Sequence, residues 1–140
     1  MKQSPSVTYI GVDVCKDFLD AFSPNWAKPK RYGNSIAGIS KLLEALKDTS
    51  LPQLGIESTG GYERPLRIAA ADSQVTLSMV NPRQVRDFAK ASGKLAKTDA
   101  LDAKILAAFG EALDPNPSLL PSKKLQKLRS FVRRRSSLND

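Results

Sequence analysis

The chain has 140 residues, 22 Lys and Arg against 14 Asp and Glu, and a net charge of +8. A pI near 9.8 points to a polyanionic partner, most simply nucleic acid. One cysteine and no histidine exclude a disulfide framework, Ser–His or Cys–His pairs and His- or Cys-ligated zinc, so any chemistry must run on carboxylates, lysines or hydroxyls.

The N-terminal MKQSPSVTYIGVDV lacks the apolar run of a signal peptide, and no stretch approaches the ~20 apolar residues of a membrane span, which points to a cytoplasmic protein without a membrane partner. In chain order, Val7–Val14 is β-branched and apolar, a buried strand. Phe18–Phe22 and the stretch around Arg31–Asn34 can pair with it as a meander. Ser35 caps a helix carrying Ile36, Ile39, Leu42, Leu43 and Leu46. Leu51–Ser58 reads as a strand ending in the turn Thr59-Gly60-Gly61, Tyr62–Ala71 as a helix and Gln74–Val80 as a strand. Asn81 caps a further helix with Pro82 in first position and Gly93 as its stop. Thr98–Ala112 predicts a last helix with Leu101, Ile105, Ala108, Phe109 and Ala112 on one face. This order predicts an α/β fold whose second half is largely parallel. Three prolines in Pro115–Pro121 mark a linker, giving a body over 1–114, a linker over 115–122 and a basic amphipathic helix over 123–140. Seven cations and only Asp140 fall in that tail, leaving the first 122 residues at a net charge of +2.

Four carboxylates stand out. Alternation puts Tyr9, Gly11 and Asp13 on one face of the first strand, and Gly55 and Glu57 on one face of the fourth. Each acid has a glycine two residues before it, which predicts room beside the carboxylate. On parallel neighbouring strands both acids emerge at the carboxyl ends, where open α/β sheets bind ligands. Asp99 and Asp102, three residues apart in the predicted last helix, project to one side. Each acid also has a plainer reading, as a strand-end turn residue or a complement to a helix dipole. Clustered together, the four would repel unless a cation bound, and oxygen donors alone select Mg²⁺ or Mn²⁺. Two such ions support phosphodiester chemistry.

Two basic elements accompany them. Arg83, Arg86, Lys90, Lys94 and Lys97 follow helical spacing and lead toward Asp99, which reads either as a phosphate track or as a solvated face. Lys123, Lys124, Lys127, Arg129, Arg133, Arg134 and Arg135 surround Leu125, Leu128, Phe131, Val132 and Leu138. That pattern predicts a nucleic-acid-binding helix that also pairs between chains as a homo-oligomer. Trp26 and Tyr32 read as packing of the meander, and Cys15 as a small filler.

The segments YIGVDVCKD, GIESTGGYE and VNPRQVRDFAKASGKLAKTDALDAKILA resemble the DEDD-type insertion-sequence transposase family, which includes DNA invertases of the Piv/MooV type and bridge-RNA-guided recombinases. The resemblance runs from about residue 7 to 138. It implies an RNase H-like (RuvC-like) domain whose acidic tetrad is Asp13, Glu57, Asp99 and Asp102, with a divalent metal, DNA as partner and, in some members, a guide RNA. It also implies that the chain corresponds to the first part of a longer recombinase, whose second domain supplies a serine. Three other readings remain: a stand-alone RuvC-type junction nuclease of the same fold, an actin-like ATPase fragment, and a non-catalytic nucleic-acid binder.

Overall fold

The computed structural model describes residues 6–57, 60–93 and 101–118. The elements follow one another as β1 (Thr8–Val14), β2 (Phe18–Phe22), β3 (Lys30–Gly33), α1 (Ile36–Ala45), β4 (Pro52–Glu57), α2 (Arg64–Asp72), β5 (Thr76–Val80), α3 (Pro82–Ala91) and α4 (Ala103–Leu113). They form a five-stranded mixed sheet in the order β3-β2-β1-β4-β5. β1, β2 and β3 are an antiparallel meander, while β1, β4 and β5 run parallel. The α/β class and RNase H-like architecture expected from the sequence are present.

The strand period sorts the core into two layers. Ile10, Val12, Val14, Leu54 and Ile56 point to one face and pack with Ile39, Leu42 and Leu46 of the α1 region and with Leu66 and Ala70 of α2. The opposite face is covered by α4, with Leu106, Ile105 and Phe109 packing against Val80 and the α3 residues Val85 and Ala89. Ser35 caps α1 by accepting from the Gly38 amide, and Asn81 caps α3 by accepting from the Arg83 amide, as the sequence predicts.

The predicted last helix needs two corrections. It begins at Ala103, not at Thr98, and Asp102 is its N-cap, in extended backbone, with the side chain accepting from the Ile105 amide at 2.9 Å. Its sheet-facing side is also not the large apolar stripe. Ala103, Ala107 and Gly110 lie against β1, where a Cβ on Gly11 would overlap the Ala103 carbonyl and a Cβ on Gly110 would stand 2.7 Å from the Tyr9 ring. Small residues on both partners let helix and strand backbones approach closely. The glycine before Asp13 therefore makes room for α4, not for open space beside the carboxylate.

After α4 the chain returns to the edge of β5. The Ser118 amide donates to the Leu77 carbonyl at 2.7 Å, and the Met79 amide donates to Ser118 Oγ at 2.8 Å. Beneath this segment, buried Gln53 donates to Ser78 Oγ at 2.6 Å and to the Pro115 carbonyl at 3.0 Å. Among the described residues, no helix is long and apolar enough to cross a membrane. The expected tail helix, with Lys123, Lys124, Lys127, Arg129, Arg133, Arg134 and Arg135, lies outside the described residues.

Candidate functional site: an acidic edge between two cationic flanks

β1 and β4 pair in parallel with Gly11 opposite Gly55 and Val12 opposite Ile56. Continuing that register sets Asp13 and Glu57 side by side at the carboxyl ends of their strands, on the face that α4 covers. Both are half-buried. α4 runs back along β1, its first turn over Gly11 and its third over Tyr9, so its N-cap Asp102 comes to rest next to Asp13.

Electrostatics register the crowding. Burial first, then the charges of Asp20 and Asp102, push the Asp13 carboxyl above its ordinary range, while Arg31 partly offsets the rise. Burial and then Asp13 push the Glu57 carboxyl up, with Arg86 pulling against them. Two carboxyls held up by burial and by neighbouring acids favour a cation between them. Asp102 has one oxygen committed to its helix cap, and the other has no hydrogen-bond partner among the described residues.

The turns that follow the two acids are joined by one side chain. Asn34 Nδ2 donates to the Cys15 carbonyl at 2.9 Å and to the Tyr62 carbonyl at 3.0 Å. The loop after β1 is thus tied to the turn that leads from β4 into α2, which fixes the relative position of the strand ends carrying Asp13 and Glu57.

Of the four expected acids, Asp13 has Glu57 beside it on the neighbouring strand and feels the charge of Asp102, and Asp99 lies outside the described residues. Among the described residues, no three acidic or sulfur side chains form a ready-made metal cage. The donor chemistry nevertheless suits a hard divalent ion, since the available ligands are oxygens and two of them are unfavourably close when charged. Arg83, Arg86 and Lys90 stand on the exposed side of α3, opposite buried Val85 and Ala89. Lys94 and Lys97 lie outside the described residues.

Sequence reasoning missed Asp20 and Arg31. Asp20 lies directly opposite Asp13 in the β1–β2 pair, and Arg31 directly opposite Asp20 in the β2–β3 pair. Arg31 grips Asp20 with both ends of its fork, at 2.8 and 3.1 Å. The two-residue loop Lys16–Asp17, closed by the Cys15 amide donating to the Phe18 carbonyl, fixes this register, and counting outward from it pairs residues 13 and 20.

A family model described as a transposase matches residues 10–140. The chain is 34% identical over 116 residues to the pilin gene-inverting protein of Moraxella lacunata, a match covering 79% of this chain and 36% of that protein. The pilin gene-inverting protein of Moraxella bovis matches with the same identity and coverage. The chain therefore spans little more than a third of the length of these curated relatives.

Proposed function

Because the chain belongs to the DEDD-type insertion-sequence transposase family, we propose that it is the portion of a DNA recombinase that carries the acidic catalytic edge and the first contacts to DNA. The observation that carries this reading is the convergence of Asp13 and Glu57 at adjacent parallel strand ends, with Asp102 delivered beside them by the cap of α4.

In this reading Asp13, Glu57 and Asp102, joined by Asp99, hold Mg²⁺ or Mn²⁺. When bound, such an ion supplies Lewis-acid stabilisation of charge building on phosphodiester oxygens and lowers the pKa of the attacking hydroxyl. The chain's own residues do the rest. Gly11 allows α4 to settle on β1, which brings Asp102 to the edge. Asn34 holds the two strand ends in register. Arg83, Arg86 and Lys90 form a track for backbone phosphates that approaches Glu57 from α3, to which Lys94 and Lys97 are assigned by sequence spacing alone. Lys123, Lys124, Lys127, Arg129, Arg133, Arg134 and Arg135 add non-specific DNA affinity and a pairing helix between copies. Strand transfer, a serine from a further domain and a guide RNA are what the family resemblance implies for a longer recombinase.

The test is Mn²⁺ titration of the 140-residue chain followed by NMR line broadening. Broadening confined to residues around Asp13, Glu57 and Leu101–Ala103, and abolished in the Asp13→Asn/Asp102→Asn double variant, is the expected result. Broadening that persists in the double variant would remove the metal site.

A further inference from the structure

Across the carboxyl edge of the sheet the charges follow a defined order, three acids between two cations. Arg31 on β3, Asp20 on β2, Asp13 on β1 and Glu57 on β4 occupy one continuous row on the face covered by α4, and Arg86 follows from α3. The α3 end of this row has its phosphate track. The hairpin end has a cation that the reading above leaves unused.

Arg31 is built differently from an ordinary surface cation. Both arms of its fork are fixed on Asp20, and its guanidinium carbon stands 4.6 Å from the centroid of the Phe18 ring. Its side chain is nevertheless 62% exposed, against 28% for Asp20. The guanidinium has five N–H donors, of which the Asp20 pair takes two. The other three are held in a fixed plane and have no partner among the described residues. A guanidinium immobilised from behind by a carboxylate and from the side by a ring, with its outer donors in solvent, is suited to a phosphate. Neutralising the repulsion between Asp13 and Asp20 accounts for a cation near Asp20, but not for the aromatic support or the open outer face.

We propose that Arg31 is a phosphate-positioning residue on the hairpin side of the acidic edge, so that a DNA strand crosses from the α3 stripe over Glu57 and Asp13 to Arg31. This rests on the DNA reading above and extends it by fixing the direction of the strand. Arg31 stands two strands from Asp13, about 10 Å at ordinary strand spacing. Measured along the axis of a duplex, that is about three nucleotide steps at most. The phosphate held by Arg31 is therefore a near neighbour of the one at the acids, and Arg31 sets register without touching the reacting atoms.

The experiment measures binding of the 140-residue chain to one short DNA duplex at a series of salt concentrations without divalent ions, then repeats it on duplexes carrying a single neutral methylphosphonate at successive positions. Arg31→Ala is expected to reduce the salt slope by about 0.9, the share of one phosphate. It is also expected to abolish the penalty for a neutral linkage at one or two adjacent positions, leaving the other penalties in place. Arg31→Lys restores the slope. A merely structural Arg31 would weaken every position alike. A wild-type slope and wild-type positional pattern in Arg31→Ala, while Arg83→Ala/Arg86→Ala/Lys90→Ala loses binding, overturns the inference and leaves the DNA reading intact. Absence of binding by the unmodified chain overturns the DNA reading, and the inference with it.

Discussion

Gly11 of β1 and Ala103 of α4 touch so closely that a Cβ on Gly11 would overlap the Ala103 carbonyl oxygen and stand 2.6 Å from the Ala107 nitrogen. This contact joins the strand carrying Asp13 to the helix capped by Asp102, so the packing and the acidic edge depend on the same absence of a side chain. Gly55, the corresponding glycine before Glu57, is different: a Cβ there meets nothing nearer than the Leu106 carbonyl at 3.8 Å. Gly11→Ala must push helix and strand backbones apart and should cost at least about 3 kcal/mol, the upper end for overpacking. Gly55→Ala should gain about 0.4–1 kcal/mol by restricting the unfolded chain. Urea unfolding of the two variants checks the contrast. Equal effects would mean that α4 does not sit on Gly11 as described.

Asp102 does two separable things. Its Oδ1 accepts from the Ile105 amide, and its charge bears on Asp13. Asp102→Ala removes the cap and should cost about 1 kcal/mol. Asp102→Asn keeps an acceptor of equal capping strength and should fold within a few tenths of a kcal/mol of the unmodified chain, yet lose Mn²⁺ binding. Chemical unfolding alongside metal titration separates the roles. Loss of stability in the Asn variant equal to that in the Ala variant would show that charge, not the cap, fixes the helix start.

Asp13 and Glu57 were legible because strand alternation has a period of two and an acid at the end of an apolar run needs a reason. The parallel pairing followed from the intervening helix. The start of α4 was not legible by capping preference, because Thr98, Asp99 and Asp102 are all good cap types. What selects Ala103 is tertiary, the fit of Ala103, Ala107 and Gly110 onto Gly11 and Tyr9. Their i, i+4, i+7 spacing was visible in the sequence, but a search for large apolar residues passes over small ones. Asp20 and Arg31 were missed because their importance lies in cross-strand register, which hydrophobic pattern leaves open until the turn is counted.

Gln53 and Ser78 are buried polar side chains on neighbouring strands, and they hold the segment after α4 through the Pro115 and Asn116 carbonyls. Gln53→Met keeps the volume but removes the donor, so buried Ser78 Oγ loses the hydrogen bond it accepts and Pro115 keeps only the 3.4 Å bond from Ser78. It should cost about 1–3 kcal/mol, the penalty for an unsatisfied buried acceptor. The Ser118 amide, bonded to the Leu77 carbonyl, should then exchange with solvent faster, while amides in β1 keep their protection relative to the lowered global stability. Hydrogen exchange read by NMR checks both. Unchanged Ser118 protection would mean that the edge of β5 holds the segment without Gln53.

The acidic edge works against stability in a pH-dependent way. The Asp13 and Glu57 carboxyls are both raised, chiefly by burial and then by neighbouring acids. The folded protein therefore holds these protons more tightly than the unfolded chain does. Below the ordinary carboxylate range both states are protonated and the two groups cost nothing. As pH rises through that range the unfolded chain releases its protons first, so stability falls, and it goes on falling until the pH passes the raised values of the folded state. In chelator at neutral pH, Asp13→Asn should accordingly melt at a higher temperature than the unmodified chain, and the gap should close on acidification toward the ordinary carboxylate range. Mn²⁺ should narrow the gap from the other side, because an ion that binds the folded state stabilises the chain that can hold it. Thermal unfolding over a pH series, with chelator and with Mn²⁺, checks the sign. An Asn variant that melts lower than the unmodified chain at neutral pH, or a gap independent of pH, would show that the Asp13 carboxylate is not held up by burial and neighbouring charge.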